Sequence, residues 1–207
     1  MSPPNAAQTA RERARAELTR EIRQEARRQL AEAGANGLSL RAVARELGMV
    51  SSALYRYYPS RDDLLTALII DAYNAIGAVA EAGAGAARAG APARETWAAA
   101  CRAIRAWAVA NPHEYALIYG SPVPGYRAPE ATIGPASRVP LVFAAIVEDA
   151  VASASVPADM LVRAAIAWTQ LFGMISFELF GQFVGSFEPA DAFFDHAVAQ
   201  LAAFIGL

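Results

Sequence analysis

The sequence predicts an all-α protein, and three observations carry that expectation. Apolar residues recur at three- to four-residue spacing in one segment after another. Glycines and prolines fall between those segments, beside Ser and Asn residues suited to helix starts. The alternation and hairpin turns that mark strands are absent, as is any internal repeat of fixed period.

The first helix is expected over residues 11–33, where Leu18, Ile22, Ala26 and Leu30 form one buried stripe between Arg and Glu; Gly34 and Gly37 end it. Ser39 caps a short second helix, residues 40–47, which Gly48 stops. A third covers residues 51–57. Pro59 cannot continue it, and Ser60 with Asp63 three residues later opens a fourth helix as a capping box does. Leu64, Leu65, Leu68, Ile69, Ala72 and Ile76 carry this fourth helix to about residue 81. The stretch AGAGAARAGAP, residues 82–92, then reads as a loop.

A fifth helix spans residues 94–110, and Asn111 followed by Pro112 starts a sixth that reaches residue 119, with Asn as the cap. GSPVPGYRAPEATIGP, residues 120–135, is too rich in Pro and Gly for regular structure, and a loop of that length is more often functional or mobile than accidental. Helices over residues 137–154, 157–181 and 189–205 complete the chain.

The 207 residues suffice for a substantial core, and a hydrophobic share of 55% is high for a lone soluble chain, which suggests apolar surface covered by a second subunit or lining a ligand cavity. The most apolar window, residues 161–184, is interrupted by Arg163, Gln170, Glu178 and Gln182, so it reads as a buried helix and no membrane partner is expected. The polar, Arg- and Glu-rich N-terminus lacks the apolar run of a secretory signal, and a cytoplasmic location is expected. One cysteine, Cys101, excludes an internal disulfide framework. His113 beside Pro112 reads as a surface or capping residue, and His196 is too isolated for a metal site; no metal or cofactor is called for. Motifs of hydrolases, metalloproteases and nucleotide-binding enzymes (GxSxG, HExxH, a P-loop, GxGxxG) are absent, so an enzyme is not expected.

The net charge of −2 conceals an asymmetry. Residues 1–66 hold 11 Arg against 8 acidic residues, a balance of +3; the remainder holds 7 Arg against 12, a balance of −5. A polyanion-binding head on an acidic body fits that division. Every basic residue is Arg.

Residues 38–65, LSLRAVARELGMVSSALYRYYPSRDDLL, contain two short helices joined by a glycine turn, a helix-turn-helix unit. In such a unit the second helix enters the major groove, and its first residues meet base edges while neighbours hold phosphates. Ser51, Ser52 and Ala53 are small enough for close approach, and Arg56 joins them at the groove. Tyr55, Tyr57 and Arg61 are placed to hold the sugar-phosphate backbone, with Ser39 and Arg41 at the start of the preceding helix. Tyr58 is expected to pack the head. Arg11, Arg13 and Arg15 read equally well as a flexible basic arm and as a solvated helix face.

Leu54, Tyr55, Tyr57, Tyr58, Ser60, Arg61, Asp62, Leu64 and Leu65 match the pattern by which the chain resembles the TetR family of transcriptional regulators. The resemblance is specific to about residue 70 and rests on helix number and a few motifs thereafter. It implies a three-helix head over residues 1–59 and a larger helical domain, residues 60–207, for ligand binding and dimerisation. Where the family often has Gly-Val-Ser, this chain has Gly48, Met49 and Val50, which leaves Ser51 or Ser52 to cap the recognition helix. The run WTQLFG, residues 168–173, resembles a subgroup named for Trp, His and Gly, with Phe172 where His is expected.

Further implications are a homodimer on a palindromic operator in double-stranded DNA and a repressor released by a small, largely apolar effector. Trp97, Cys101, Trp107, Tyr115, Tyr119, Trp168, Phe172 and Glu178 are the candidate effector contacts. Glu178 in an apolar helix requires a partner, whether Arg163, a tyrosine, a ligand cation or a second subunit. Trp168, Leu171, Phe172, Ile175, Leu179 and Phe183, with Phe193, Phe194, Val198, Leu201 and Phe204, are expected at the dimer interface, the alternative being that they fill the chain's own core; Gly173 and Gly181 would permit close helix approach. The other functional reading is a helical small-molecule carrier that has lost specific DNA binding.

Overall fold

A computed structural model describes residues 6–87, 90–151, 155–187 and 189–207, with side chains from residue 10 onward. Among these residues it contains α1 (Ala6–Gly37), α2 (Leu40–Glu46), α3 (Ser51–Leu54), α4 (Arg61–Ala87), α5 (Ala93–Ala110), α6 (Pro112–Tyr119), α7 (Ile133–Ala150), α8 (Ala158–Leu179) and α9 (Ala190–Ile205), with no strand. The expected end of the seventh helix at residue 154 lies outside the described residues. The chain forms two compact units: the described residues up to Ile69 together with Pro122–Pro129, and Ile70–Ser121 together with Glu130–Leu207.

In the first unit Ile22, Ala26 and Leu30 of α1 pack with Leu40, Val43, Leu54, Tyr58, Leu64 and Leu65, all buried. Gly34 breaks α1 with a left-handed φ of 67°, as its position in the sequence predicts. The Ser39 hydroxyl accepts from the Ala42 amide at 3.4 Å and caps α2. Gly48, at φ 64°, then lets the chain reverse: its amide reaches Arg45 O at 3.1 Å and the Met49 amide reaches Ala44 O at 2.8 Å, the paired bonds of a Schellman stop.

α3 is shorter than expected. It has four residues, its cap is Val50, and no side chain bonds its first amides, so neither Ser51 nor Ser52 serves that purpose. Tyr55 to Tyr58 continue as a turn in which the Tyr57 and Tyr58 amides share Leu54 O at 2.8 and 3.1 Å. Ser60 and Asp63 do bond reciprocally at 2.7 and 3.1 Å, starting α4.

The second unit is built on Trp97, Cys101 and Ile104 of α5, with Phe143, Val147, Leu171, Ile175, Phe194 and Val198, all buried. Trp97 leans on Phe143 with ring centroids 4.6 Å apart and donates through Nε1 to Val198 O at 3.2 Å. Burial of Leu171, Phe172, Ile175, Phe194 and Val198 corrects the expectation that these residues meet a partner, since they fill their own chain's core. Gly181 also serves the chain itself, adopting φ 77° in the turn after α8. Gly173 differs: nothing lies within 4 Å of where its Cβ would be.

α4 runs to Ala87, through the segment read from sequence as a loop. Gly83 explains the misreading, because a Cβ there would stand 2.9 Å from Ala99 O on α5. The glycine permits two helices to touch instead of ending one. Asn111 likewise departs from expectation: its side chain makes no cap bond to α6 and donates back to Trp107 O at 2.9 Å, closing α5.

By length and composition alone, Arg61–Ala87, Glu130–Ala150 and Ala158–Leu179 are each long and apolar enough to cross a membrane, so the interrupting charges used to discount residues 161–184 do not decide the matter. In this fold those charges are paired within the protein. Glu178 of α8 bonds Arg105, and Arg138 of α7 bonds Glu81 of α4.

Arg138 lies over Gly77, where a Cβ would stand 2.7 Å from its own Cβ. Its guanidinium reaches both Glu81 oxygens at 2.6 and 2.8 Å, and Asn74 O and Oδ1 at 2.8 and 3.0 Å. The bond from Arg138 holds the Glu81 carboxyl below its ordinary 4.5. As pH falls the unfolded chain therefore takes up the proton first, so the pair's stabilisation is complete above 4.5 and disappears as pH drops through the lower folded value. Glu81→Gln should flatten that part of the acid-unfolding profile, followed by circular dichroism, while changing neutral-pH stability only slightly; an unchanged acid limb would show that the pair contributes nothing.

Candidate nucleic-acid interface and effector residues

The head brings its polar candidates to one surface. Ser39, Arg41, Tyr55 and Arg61 line a groove of about 360 Å³ together with Leu38, Leu40 and Ser60. Arg41, Ser52, Tyr55 and Arg56 are exposed, while Ser51, Ala53 and Tyr57 are half-buried. The side chains of Arg41 and Arg56 make no hydrogen bond or ion pair among the described residues. A phosphate would meet cationic and hydroxyl donors here without first breaking a salt bridge at these two arginines.

Arg61 is arranged differently. It reaches across to the end of α1, donating from Nη2 to Ala35 O at 2.6 Å and from Nε to Leu38 O at 3.3 Å. The Ala35 carbonyl also accepts from the Leu38 amide at 3.4 Å, and the first residue of α4 thus ties down the turn that follows α1. Arg23 plays a matching part that the sequence reading missed, donating from Nε to Tyr58 Oη at 2.7 Å. Gln29, buried, accepts from the Ser39 amide at 3.3 Å. Nothing in the local sequence singles Arg23 out, and only the tertiary approach of Tyr58, 35 residues away, reveals its task.

Arg11, Arg13 and Arg15 belong to α1 and not to a flexible arm, and the Arg15 guanidinium lies 5.0 Å from the centre of the Tyr57 ring. Tyr57 is thereby held by its face, with its hydroxyl end left for other contacts.

The effector candidates separate into three places in the second unit. Tyr115, Tyr119, Trp168 and Phe172 form one aromatic run with Tyr73, in which Tyr119 stands 4.3 Å from Phe172 and 5.2 Å from Tyr115. Burial raises the Tyr115 hydroxyl to about 12 and the Tyr119 hydroxyl higher still. Trp97 and Cys101 sit in the packed core, where burial pushes the Cys101 thiol well above its ordinary range, and Trp107 is half-buried beside them on α5. Glu178 is the third place. Arg105 grips both its oxygens at 2.6 and 2.7 Å and also reaches Asp191 at 2.7 Å, so the carboxylate's partner is a residue not among those anticipated. Arg163 instead pairs with Asp159 and bonds Phe204 O. Among the described residues no three His, Cys, Asp or Glu gather as a metal site.

Comparison with known proteins agrees with this head. Residues 22–68 match the model of bacterial regulatory proteins of the tetR family, and residues 97–201 match that of the tetracyclin repressor-like C-terminal domain. The chain belongs to the TetR family. It is 39% identical to the HTH-type transcriptional regulators Rv1816 of Mycobacterium tuberculosis and Mb1846 of Mycobacterium bovis, over 82% of this chain and 84% of each relative. A crystal structure assigned as a regulatory protein, SCO4313, superposes with a TM-score of 0.82 at 34% identity, covering 98% of this chain and 100% of that one. This TetR-family chain is therefore a DNA-binding transcriptional regulator with a helix-turn-helix head, of a family of regulators and not of enzymes.

The two kinds of head arginine should separate in mutants. Arg61→Ala, by removing the bonds to the Ala35 and Leu38 carbonyls, should cost the protein roughly 2 kcal/mol, whereas Arg56→Ala should leave the thermal midpoint unchanged. Equal effects in a denaturant titration would refute the division.

Proposed function

We propose that the chain is a cytoplasmic repressor that binds a palindromic operator as a homodimer and is released by a small, largely apolar effector. Residues 1–59 serve as the DNA-binding part and residues 60–207 as the ligand-binding and dimerisation part. The observation that carries the DNA assignment is the single groove lined by Ser39, Arg41, Tyr55 and Arg61 beside the exposed α3 surface. Arg41, Tyr55 and Tyr57 hold the backbone; Ser51, Ser52, Ala53 and Arg56 face the bases. Arg61 acts chiefly by fixing the turn that presents them.

A head with a single short reading helix gains affinity by pairing with a second across a two-fold axis. α8 supplies a suitable surface: Val162, Ile166 and Phe177 are 59%, 43% and 53% exposed, and Gly173 lies on the same face with open space around it. Two such faces could approach closely at the glycines. The effector side of the same helix carries Trp168 and Phe172. Two covalent routes lead from there to the head: α4, which begins in the first unit and ends in the second, and residues 122–129, whose Tyr126 hydroxyl meets Thr66 Oγ1 of α4 at 2.9 Å. A ligand that prefers one arrangement of these routes by a few kcal/mol shifts the DNA-binding population.

Two measurements test the reading. A mobility shift on DNA flanking the protein's own gene, at several salt concentrations, should give a specific complex whose salt slope falls by about one for Arg41→Ala; a well-folded protein with no specific shift under any condition would favour a carrier. Ile166→Glu should halve the sedimenting mass and abolish the shift while leaving helix content intact. Tight specific binding by a monomer would overturn the dimer.

A further inference from the structure

The α8 positions Trp168, Phe172 and Ser176 follow at four-residue spacing and so share one face. Of the polar groups in the aromatic run, the Tyr73 and Tyr115 hydroxyls are used. Tyr73 Oη donates to Ile118 O at 3.4 Å, and Tyr115 Oη donates to Phe172 O at 2.9 Å and meets Ser176 Oγ at 2.9 Å. Trp168 Nε1 is not: it is buried and has no hydrogen-bond partner among the described residues. Tyr119, whose ring also packs on Phe172, likewise makes no hydrogen bond through Oη among the described residues.

Proteins rarely leave a buried donor unsatisfied, because its lost hydration is not recovered. An indole N–H can only donate, so what completes it is an acceptor. That acceptor should be uncharged. The carboxylate nearest along the same helix, Glu178, is committed to Arg105, and Arg105 is itself divided between Glu178 and Asp191. An anionic ligand would then be buried without a counter-charge, and a cation would face the positive end of the indole N–H. The neighbouring rings of Phe172 and Tyr119, tilted by 41° with centroids 4.3 Å apart, offer an apolar aromatic surface for the rest of the molecule.

We infer that Trp168 Nε1 is the polar anchor of the effector site, and that the effector is a neutral molecule with an apolar or aromatic body and a carbonyl-type oxygen that accepts this hydrogen bond. The inference rests on the proposal that the second unit takes a small effector. It narrows the candidate contacts to the run around Phe172 and excludes Glu178 as a ligand for cations.

Three probes of similar size isolate the polar requirement: acetophenone, benzoate and ethylbenzene. Equilibrium dialysis against the full-length protein should rank acetophenone first, ethylbenzene second and benzoate last. Trp168→Phe keeps an aromatic ring and removes the N–H; it should weaken acetophenone about tenfold, the value of one hydrogen bond, and change ethylbenzene by less than twofold. Benzoate binding as well as acetophenone, retention of acetophenone affinity in Trp168→Phe, or no binding of any probe would each overturn the inference. If Trp168→Phe loses its helix content, the ranking on the unaltered protein decides alone. A mobility shift on the same preparations separates the two readings: an intact operator complex with a failed ranking removes only the anchor, whereas loss of the complex removes the regulator reading itself.

Discussion

A recognition helix of one turn cannot hold its own shape. Isolated helices below about 12–15 residues are marginal in water, and α3 has four residues and no side-chain cap. Its conformation is imposed from outside. Leu54 plugs it into the head core, Tyr58 follows with its ring buried and its hydroxyl on Arg23, and Arg61 ties the next helix to the end of α1. Because these anchors all point inward, Ser52, Tyr55 and Arg56 are left on the outer side, where a duplex can reach them. The aromatic and guanidinium groups gathered in residues 54–61 thus divide between those that hold the turn and those left exposed on it.

The body uses charge in a similar way. Arg105 joins α5 to Glu178 on α8 and Asp191 on α9, with its guanidinium 4.9 Å from the centre of Phe194, and Arg138 joins α7 to two residues of α4. Both arginines are multidentate and largely withdrawn from water, which makes them directional links between helices whose apolar faces alone would allow sliding. Gly77 and Gly83 set how close those helices come. Such links stiffen the second unit, and it is through them that the proposed effector near Phe172 would act.

Much of the fold was legible because helix boundaries follow local chemistry. Ser39, Gly48, Ser60 and the Asn111–Pro112 pair lie where the backbone starts and stops. What was not legible depended on residues distant in sequence. Gly83 looks like a loop residue until Ala99 is found against it, and Asn111 looks like a cap for the helix it precedes until its amide is seen on the helix it follows. Candidate DNA contacts could be named from the helix-turn-helix pattern, yet the bonds from Arg61 to the end of α1 could not, because Ala35 and Leu38 lie 26 and 23 residues earlier. In the body, composition marked α8 as too apolar for a lone chain but gave no phase. The buried stripe through Leu171 and Ile175 and the exposed one through Val162 and Ile166 differ only by rotation about the helix axis.

The central claim is that the reading turn is formed before DNA arrives. Amide hydrogen exchange on the free protein tests it directly at Tyr55, Tyr57 and Tyr58, whose amides bond Ser51 O and Leu54 O at 2.8 to 3.1 Å. A preformed head predicts that these three amides are protected and exchange through the same opening as the Met49 amide at the end of α2. Exchange at free-peptide rates from residues 55–58, with α1 and α4 still protected, would show that the turn folds only on its target and would contradict the account.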